Sequence, residues 1–313
     1  MAQLNKFSND TVAGGNTGSS KLVKDNQGRI THMVIQPYGF EHATKTAALT
    51  KATRIALHKT VKANRHYLFP KFSNVADKST DPPMFKSPLK GESMINEGTI
   101  GFDFECFGEN EVVLQKLRTF KNYRCFVSFF DENQNELMCS HDGVKLSGFD
   151  AIVYVTPRKV AVGEEPGKYM VRVTLQNLTE WADEKVILQA NKQTTGKWLV
   201  TDLPEVYDVE LSIVGTPTST TLKVSVNIDA YTTTDSDGQI VGLAKADFVW
   251  KTSAGVAKIL DSSTDNGDGT YNFTPTSPAV FATGDIIDTV ACGSISLTDI
   301  AIESTGAVTL PTI

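Results

Sequence analysis

The sequence contains no uninterrupted run of about 20 apolar residues, the length that a helix needs to cross a bilayer. Its first segment, MAQLNKFSNDTVAGGNTGSS, also lacks the apolar stretch of a secretory signal. We therefore expect a protein that is made in a cytosol, is not exported by the usual route and does not contact a membrane.

Cysteine is scarce, with four residues in a chain of 313: Cys106, Cys125, Cys139 and Cys292. No two of them have the CxxC spacing that is typical of zinc and redox sites. The first three lie in apolar or strand-like sequence, so we interpret them as buried free thiols in a reducing compartment. The sequence accordingly predicts no metal site and no cofactor.

Catalytic motifs are absent as well: the chain has no Walker loop, no GxGxxG and no GxSxG. Cys139–Asp142 does place a thiol, an imidazole and a carboxylate together. Adjacent strand residues point to opposite faces, however, and a nucleophile and its base are usually distant in sequence. We interpret this segment as a turn, and Glu180, Asp183 and Glu184 as a solvated acidic face, and we predict no catalytic residue.

Basic residues are distributed unevenly. Residues 202–313 contain four lysines and no arginine, whereas Asp and Glu are frequent there. Residues 45–65, in contrast, contain six Lys or Arg and no acidic residue. The net charge of −6 argues against a protein dominated by nucleic-acid contacts, which need a basic domain or stripe. The asymmetry itself indicates two units of different character.

Three segments of the N-terminal part of the chain do not have a strand pattern. Residues 1–27 are rich in Gly, Asn and Ser and predict a flexible N-terminal arm. Residues 41–63 have a loose helical spacing of small apolar residues without Gly or Pro, which predicts one long helix with basic side chains on its surface. Residues 68–98 contain four prolines and predict a long loop, a kind of segment that often serves function.

Between and after these segments the pattern is that of strands. We predict strands at 28–37, 99–107, 123–131, 145–157 and 167–177, and a short helix at 111–120. This order is typical of an α+β domain with an antiparallel sheet, which we assign to residues 28–202.

The C-terminal region, residues 203–313, shows strand patterns only. Turn signals such as TPTST, TTDSDG and TDNGDG separate short apolar runs at intervals of about 10 residues. This regular alternation predicts an all-β immunoglobulin-like sandwich.

One turn in this region, DNGDGTYNFTP at residues 265–275, has the acidic composition of a cation site. A calcium loop of the EF-hand kind needs oxygen ligands at its first, third, fifth and twelfth positions. Counted from Asp265, those later positions hold Gly267, Gly269 and Thr276, so the pattern fails. An Asp-Gly pair before an alternating strand instead favours a hairpin turn.

The same stretch resembles the hairpin of filamin-type and bacterial invasin-like immunoglobulin-fold repeats, in which Gly-Asp-Gly-Thr-Tyr opens a strand. The likeness extends loosely over residues 207–313 and includes DGQIVGLAKADFVWKT. It implies that Tyr271 packs into the sandwich and says little about a partner.

A second resemblance covers about residues 100–180. The run EGTIGFDFECF, followed by LQKLRTFKNYRCFVSFFDENQNELMCSHDGVKLSGFDA, is similar to virion structural proteins of phages that infect Bacteroidetes. The matching segments are Leu117–Phe120, Phe126–Asn135 and Asp142–Phe149. The chain departs from the pattern at Gln134, where a glycine would tighten the hairpin.

These resemblances imply a non-enzymatic structural subunit of a phage virion, and we favour a tail-tube or major tail protein with an outward-projecting immunoglobulin-like domain. The basic helix and the long loop are expected to contact neighbouring copies, since a basic face suits an otherwise acidic chain. The residues predicted to make these contacts are Lys51, Arg54, Lys59, Lys62, Phe72, Pro82, Pro83 and Phe85.

The expected partners are other copies of the chain in hexameric rings, further virion proteins, and genomic DNA that passes through a lumen without specific binding. The location implied is the virion, assembled in the host cytoplasm. Two alternatives stay open: a capsid-decoration, head-fibre, portal-collar or tail-adaptor protein, and a receptor- or carbohydrate-binding appendage. A phosphate-binding role for the basic helix is a further, less favoured interpretation.

Overall fold

The computed structural model describes residues 4–6, 28–60, 62–81, 84–87, 91–94, 98–107, 114, 117–162, 166–190, 196–228, 238–290, 294–297 and 300–313. The described part of the chain is mostly β, with 44% of the described residues in strands and 15% in helices. Antiparallel sheets and few helices were predicted from the sequence, and this β-rich character is confirmed.

Two compact units make up the chain. The N-terminal unit comprises Met1–Leu57 and Ala63–Leu203, and the C-terminal unit comprises His58–Lys62 and Pro204–Ile313. The short segment His58–Lys62 therefore belongs by its contacts to the C-terminal unit, although it lies far from that unit in sequence.

The N-terminal unit is built on one ten-stranded sheet. Its strands are β1 (Leu4–Lys6), β2 (Ile30–Gln36), β3 (Tyr67–Leu68), β4 (Asn74–Asp77), β7 (Gly101–Phe107), β8 (Tyr123–Asp131), β9 (Glu136–Cys139), β10 (Phe149–Val155), β11 (Lys168–Leu175) and β12 (Lys185–Leu188), and a separate hairpin is formed by β5 (Met84–Ser87) and β6 (Gly91–Met94). The order across the sheet is β1-β12-β9-β8-β10-β11-β7-β4, with β2 paired to β8 and β3. The described pairs in this unit are antiparallel.

Both faces of this sheet carry apolar cores. Phe129 and Phe130 are neighbours in β8 and point to opposite faces, as strand geometry requires. Phe129 packs with Phe102, Phe104 and other aromatic rings in the larger core. Phe130 lies in the second core, where its ring centroid is 6.1 Å from that of Trp198.

The predicted long helix at 41–63 is wrong as a single element. The structure has α1 (Lys45–Leu49) and α2 (Lys51–Lys59), interrupted at Thr50, whose φ of −83° and ψ of 117° are extended. Next to this interruption, the carbonyl of Leu49 accepts a hydrogen bond from Trp198 Nε1 at 2.7 Å. Thr50 Oγ1 also donates to the carbonyl of Thr46, a local bond that competes with helix.

The predicted long loop at 68–98 also needs correction, because much of it is strand. Asn74–Asp77 pairs with β7 and widens the main sheet, and Met84–Ser87 pairs with Gly91–Met94. Each segment is only four residues long, so the apolar alternation that would reveal it is too brief to register.

The predicted N-terminal arm lies outside the described residues except at Leu4–Lys6, which pairs with β12 as part of the sheet. The predicted helix at 111–120 also falls largely outside them, and its end, Arg118–Phe120, is a 3₁₀ turn. The sequence pattern did not predict β9, β12 or the helix α3 (Leu178–Ala182) between β11 and β12. Further 3₁₀ turns lie at Lys62–Asn64 and Val200–Asp202.

The C-terminal unit contains two sheets. Its strands are β13 (Glu205–Ile213), β14 (Leu222–Ile228), β15 (Phe248–Lys251), β16 (Ala257–Lys258), β17 (Leu260–Asp265), β18 (Thr270–Pro275), β19 (Ile286–Thr289), β20 (Ile300–Gly306) and β21 (Val308–Thr309), with a 3₁₀ turn at Lys245–Asp247. One sheet has the order β17-β18-β14-β13-β20 and the other β16-β15-β19-β21. The pair β13–β20 is parallel, and the other described pairs are antiparallel. Residues of both sheets share one apolar core around Trp250, Tyr271 and Phe273.

Candidate functional site

Arg54 was predicted as a surface contact, but it lies in the interior of the N-terminal unit with no exposed surface. Its Nη2 donates to Glu136 Oε1 at 2.6 Å, and its Nη1 donates to His42 Nε2 at 2.9 Å. Ser128 Oγ donates to the same glutamate oxygen at 2.7 Å. The prediction of a surface role for Arg54 is wrong because the spacing of basic residues on a helix does not show which of them pairs with a buried carboxylate.

Phe72 is likewise a core residue. Its ring stacks on that of Phe104, with centroids 4.3 Å apart and planes 18° from parallel. Only 2% of Phe72 is exposed, so it is not part of a contact surface. Phe85 lies in β5, with its side chain outside the described residues, and Pro82 and Pro83 also lie outside them.

The three lysines of the predicted contact set have different environments. Lys51 is partly exposed and its Nζ lies 3.2 Å from Asp202 Oδ1. Lys62 is exposed. Lys59, which clusters with the C-terminal unit, is buried there and donates to the backbone carbonyls of Ile295 and Leu297. Lys51 and Lys62 thus keep the exposure that a contact role needs, whereas Lys59 does not.

The acidic turn at 265–275 forms the hairpin between β17 and β18, as predicted. Asp265 Oδ1 accepts from the Gly267 amide at 2.8 Å, and Asp268 Oδ1 accepts from the Thr270 amide at 3.0 Å. Gly267 and Gly269 have φ values of 76° and 71°, which favour glycine. The carboxylates therefore support the turn by bonding its own backbone.

A cluster of reactive side chains lies in the N-terminal unit at the end of β9. Cys139 closes this strand, and His141 follows two residues later. Glu180 comes from α3, and Glu184 lies directly before β12. The backbone holds these segments together, because Cys139 pairs with Lys185 and the Ser140 amide donates to the Glu184 carbonyl at 3.0 Å.

Distances within this cluster are short. His141 Nδ1 lies 2.5 Å from Glu184 Oε2, and His141 Nε2 lies 3.8 Å from Glu180 Oε1. Cys139 Sγ lies 3.9 Å from His141 Nε2 and 3.6 Å from Glu184 Oε2. One sulfur, one nitrogen and one carboxylate oxygen, from Cys139, His141 and Glu180, all fall within 4.8 Å of one another.

Burial and charge both act on the acids of the cluster. Burial, reinforced by the Glu180 and Glu184 carboxylates, raises the pKa of the Cys139 thiol well above its usual range. Burial also raises the pKa of the Glu180 carboxyl, against the opposing effect of the Asp150 amide that donates to Glu180 Oε2 at 2.7 Å. A thiol in this state is protonated and a poor nucleophile at neutral pH.

The sequence showed only half of this cluster. Cys139 and His141 were noted, but Glu180 and Glu184 were interpreted as a solvated face, whereas Glu180 is only 4% exposed. The spacing of Cys139 and His141 was a usable signal, because residues two apart in an extended segment share a face. Glu184 lies beyond the end of α3, so no helical spacing relates it to Glu180. The pairing of β9 with β12 brings the segment of Cys139 and His141 next to the segment of Glu180 and Glu184, and the sequence did not predict this pairing.

Neither models of protein families nor curated proteins match this chain. None of the helices in the described part of the chain is long and apolar enough to cross a membrane.

Proposed function

We propose that the protein is a self-assembling structural subunit of a phage virion, with the tail tube as its favoured location. The observation that carries the proposal is the β5–β6 hairpin. Its two strands pair with each other and, within the described residues, with no other strand. A hairpin of two four-residue strands is marginally stable in water by itself, so a surface on a neighbouring copy would stabilise it.

The connection between β10 and β11 supports the same proposal. Val160 and Val162 lie in it and are 84% and 75% exposed. Two large apolar side chains so close together and so exposed are suited to a contact with another subunit. The broad antiparallel sheet of the N-terminal unit is the kind of framework that ring-forming tube subunits use in the family that the sequence resembles.

For the C-terminal unit we propose an immunoglobulin-like sandwich that projects from the assembly. Support comes from the two sheets with a common core, from the buried Trp250, and from Tyr271, whose hydroxyl donates to the Ile240 carbonyl at 2.7 Å. A buried Trp recurs in the core of immunoglobulin-like domains. The resemblance of the DNGDGTYNFTP hairpin to immunoglobulin-fold repeats implies that Tyr271 packs into the sandwich. The aromatic residues Phe248, Trp250, Tyr271, Phe273 and Phe281 are buried, which disfavours the alternative of a glycan-binding appendage.

The proposal is tested by light scattering coupled to size exclusion and by negative-stain microscopy of the purified full chain. We expect rings with sixfold symmetry or stacked tubes. Rings with threefold or fivefold symmetry would overturn the tail-tube assignment in favour of a capsid or collar position. A monodisperse monomer at high concentration, at both low and high salt, would overturn self-assembly altogether.

Single substitutions locate the contact. Val160→Asp and Val162→Asp place a charge on the proposed interface and are expected to shift the protein toward monomer. Val144→Asp is the matched control, because Val144 is also exposed, at 58%, but lies between β9 and β10. Circular dichroism should be unchanged in all three variants. Equal loss of assembly in the control would argue against the β10–β11 connection as a contact.

A further inference from the structure

We propose that Cys139, His141 and Glu180 form a binding site for Zn²⁺, with Glu184 orienting the histidine. This inference is independent of the assembly proposed above, since the four side chains come from one unit of a single chain. Sulfur, imidazole nitrogen and carboxylate oxygen are the three ligand types that zinc accepts in proteins.

The spacing of the three ligand atoms fits a tetrahedral ion. Zn–S and Zn–N bonds of about 2.3 and 2.0 Å imply ligand atoms separated by about 3.5 Å. Cys139 Sγ and His141 Nε2 are 3.9 Å apart, and His141 Nε2 and Glu180 Oε1 are 3.8 Å apart. The third separation, between the Cys139 sulfur and a Glu180 carboxylate oxygen, is within 4.8 Å. Side-chain shifts of about 1 Å or less would therefore bring the three atoms onto one ion.

Glu184 gives the histidine the form that a metal needs. Glu184 Oε2 lies 2.5 Å from His141 Nδ1 and accepts a hydrogen bond from the N–H group at that position. In this form of the ring, the lone pair that can bind a metal is on Nε2. Nε2 is the nitrogen that faces Cys139 and Glu180. A carboxylate bonded to the far nitrogen of a ligating histidine is a recurrent second layer of zinc sites.

The glutamate ligand is held in place before any ion binds. Glu180 Oε2 accepts from the Asp150 amide at 2.7 Å, which directs Oε1 toward the histidine. Asn177 caps α3 and its Nδ2 lies 3.3 Å from Glu180 Oε1, so one lone pair of that oxygen stays available. Positioned ligands lower the cost of ordering the site.

The donor set and the exposure define which ion fits. Cys139 would release its thiol proton to solvent when the ion binds. A thiolate with an imidazole favours borderline or soft divalent ions such as Zn²⁺ and Co²⁺ over Ca²⁺ and Mg²⁺, which prefer oxygen ligands alone. The His141 side chain is 43% exposed, so an ion can enter from solvent and retain a water molecule as its fourth ligand.

The experiment uses tag-free full-length protein, stripped of metal under reducing conditions and titrated with Co²⁺ and then Zn²⁺. We expect one Co²⁺ per chain, visible d–d bands of a tetrahedral site and a thiolate-to-cobalt charge-transfer band, all displaced by Zn²⁺. An equal excess of Mg²⁺ should displace nothing. Absence of the charge-transfer band, or binding that Mg²⁺ abolishes, would overturn the site.

Variants assign the ligands. Cys139→Ser should remove the charge-transfer band, and Glu180→Gln and His141→Gln should each weaken Zn²⁺ binding by more than about 100-fold. Glu184→Gln removes no ligand but removes the carboxylate that contacts His141 Nδ1 and Cys139 Sγ, and it should weaken binding by about 10- to 100-fold. Asp183→Asn is the matched control, because it removes an exposed carboxylate from the same turn.

His141 is half-exposed, so its variant should fold even if the buried cysteine and glutamate variants do not. Unchanged Zn²⁺ affinity in folded His141→Gln, or an equal loss in Asp183→Asn, would refute the assignment.

Discussion

Arg54 and Glu136 form an ion pair in the interior of the N-terminal unit, with Nη2 and Oε1 separated by 2.6 Å and side chains that are 0% and 1% exposed. The guanidinium carbon of Arg54 also lies 5.6 Å from the centre of the Trp198 ring. This pair joins α2 to β9, so it fixes the helix on the sheet. Removal of either charge would leave the other without its partner in a site closed to water.

Arg54→Met is therefore expected to lower the free energy of unfolding by about 3–5 kcal/mol, the range for breaking a buried ion pair. Lys51→Met is the matched control: it makes the same change in the same helix, but its partner Asp202 is partly exposed and the loss should stay below about 1 kcal/mol. Urea unfolding and hydrogen exchange of β8 and β9 measure both. The double variant Arg54→Met, Glu136→Leu should recover most of the loss, and similar values for the two single variants would contradict the prediction.

His42 adds a pH dependence to this network. Burial, followed by the charge of Arg54, lowers the pKa of His42 to about 3. An unfolded histidine has a pKa near 6.5. Between pH 6.5 and 3, His42 is therefore protonated in the unfolded chain and neutral in the native chain. The stabilising effect is complete above pH 6.5 and is lost as the pH falls, by about 1.4 kcal/mol per pH unit.

Comparison with His42→Gln isolates this effect, since the amide oxygen can still accept from Arg54 but does not titrate. Burial also lowers the pKa of His32, and burial raises that of Glu180, but both contributions cancel between the two proteins. Urea unfolding at pH 7, 6 and 5 should show wild type losing stability relative to the variant as the pH falls. Parallel pH profiles would show that His42 does not titrate as described.

The extent to which the sequence predicted the structure depended on the range of the interactions involved. The long strands β7, β8 and β11 were predicted within a few residues, because β7 and β11 alternate in sequence and β8 is a nine-residue segment rich in apolar residues that is buried on both faces over most of its length. The strands β9 and β12 were not predicted, because a strand of four residues is too short to show a clear alternation of apolar and polar residues. The environments of Arg54 and Glu180 depend on partners 82 and 30 residues away, which no local pattern contains.

Gln134 shows how a local expectation can fail for a tertiary reason. The β8–β9 hairpin favours glycine there, and Gln134 has a φ of 62°, which costs a residue with a side chain about 1 kcal/mol or more. Its Oε1, however, accepts from the Val200 amide at 2.9 Å. We expect Gln134→Gly to be nearly neutral, because relief of strain offsets the lost bond, and Gln134→Ala to be less stable than Gln134→Gly by about 1 kcal/mol. Equal urea midpoints for the two variants would contradict this account.

Tyr271 anchors the C-terminal unit through its hydroxyl, which donates to the Ile240 carbonyl at 2.7 Å and accepts from the Leu243 amide at 3.3 Å. Tyr271→Phe leaves two buried backbone groups without their partner and should lower the free energy of unfolding by about 1–3 kcal/mol. Tyr154→Phe, at a half-buried position of β10, is the control and should change stability by less than about 0.5 kcal/mol. The Leu243 amide should also exchange faster in Tyr271→Phe, as measured by hydrogen exchange, because its acceptor is gone. Unchanged exchange at Leu243 would mean that the hydroxyl does not hold this segment, and the support that Tyr271 lends to an immunoglobulin-like sandwich would be lost.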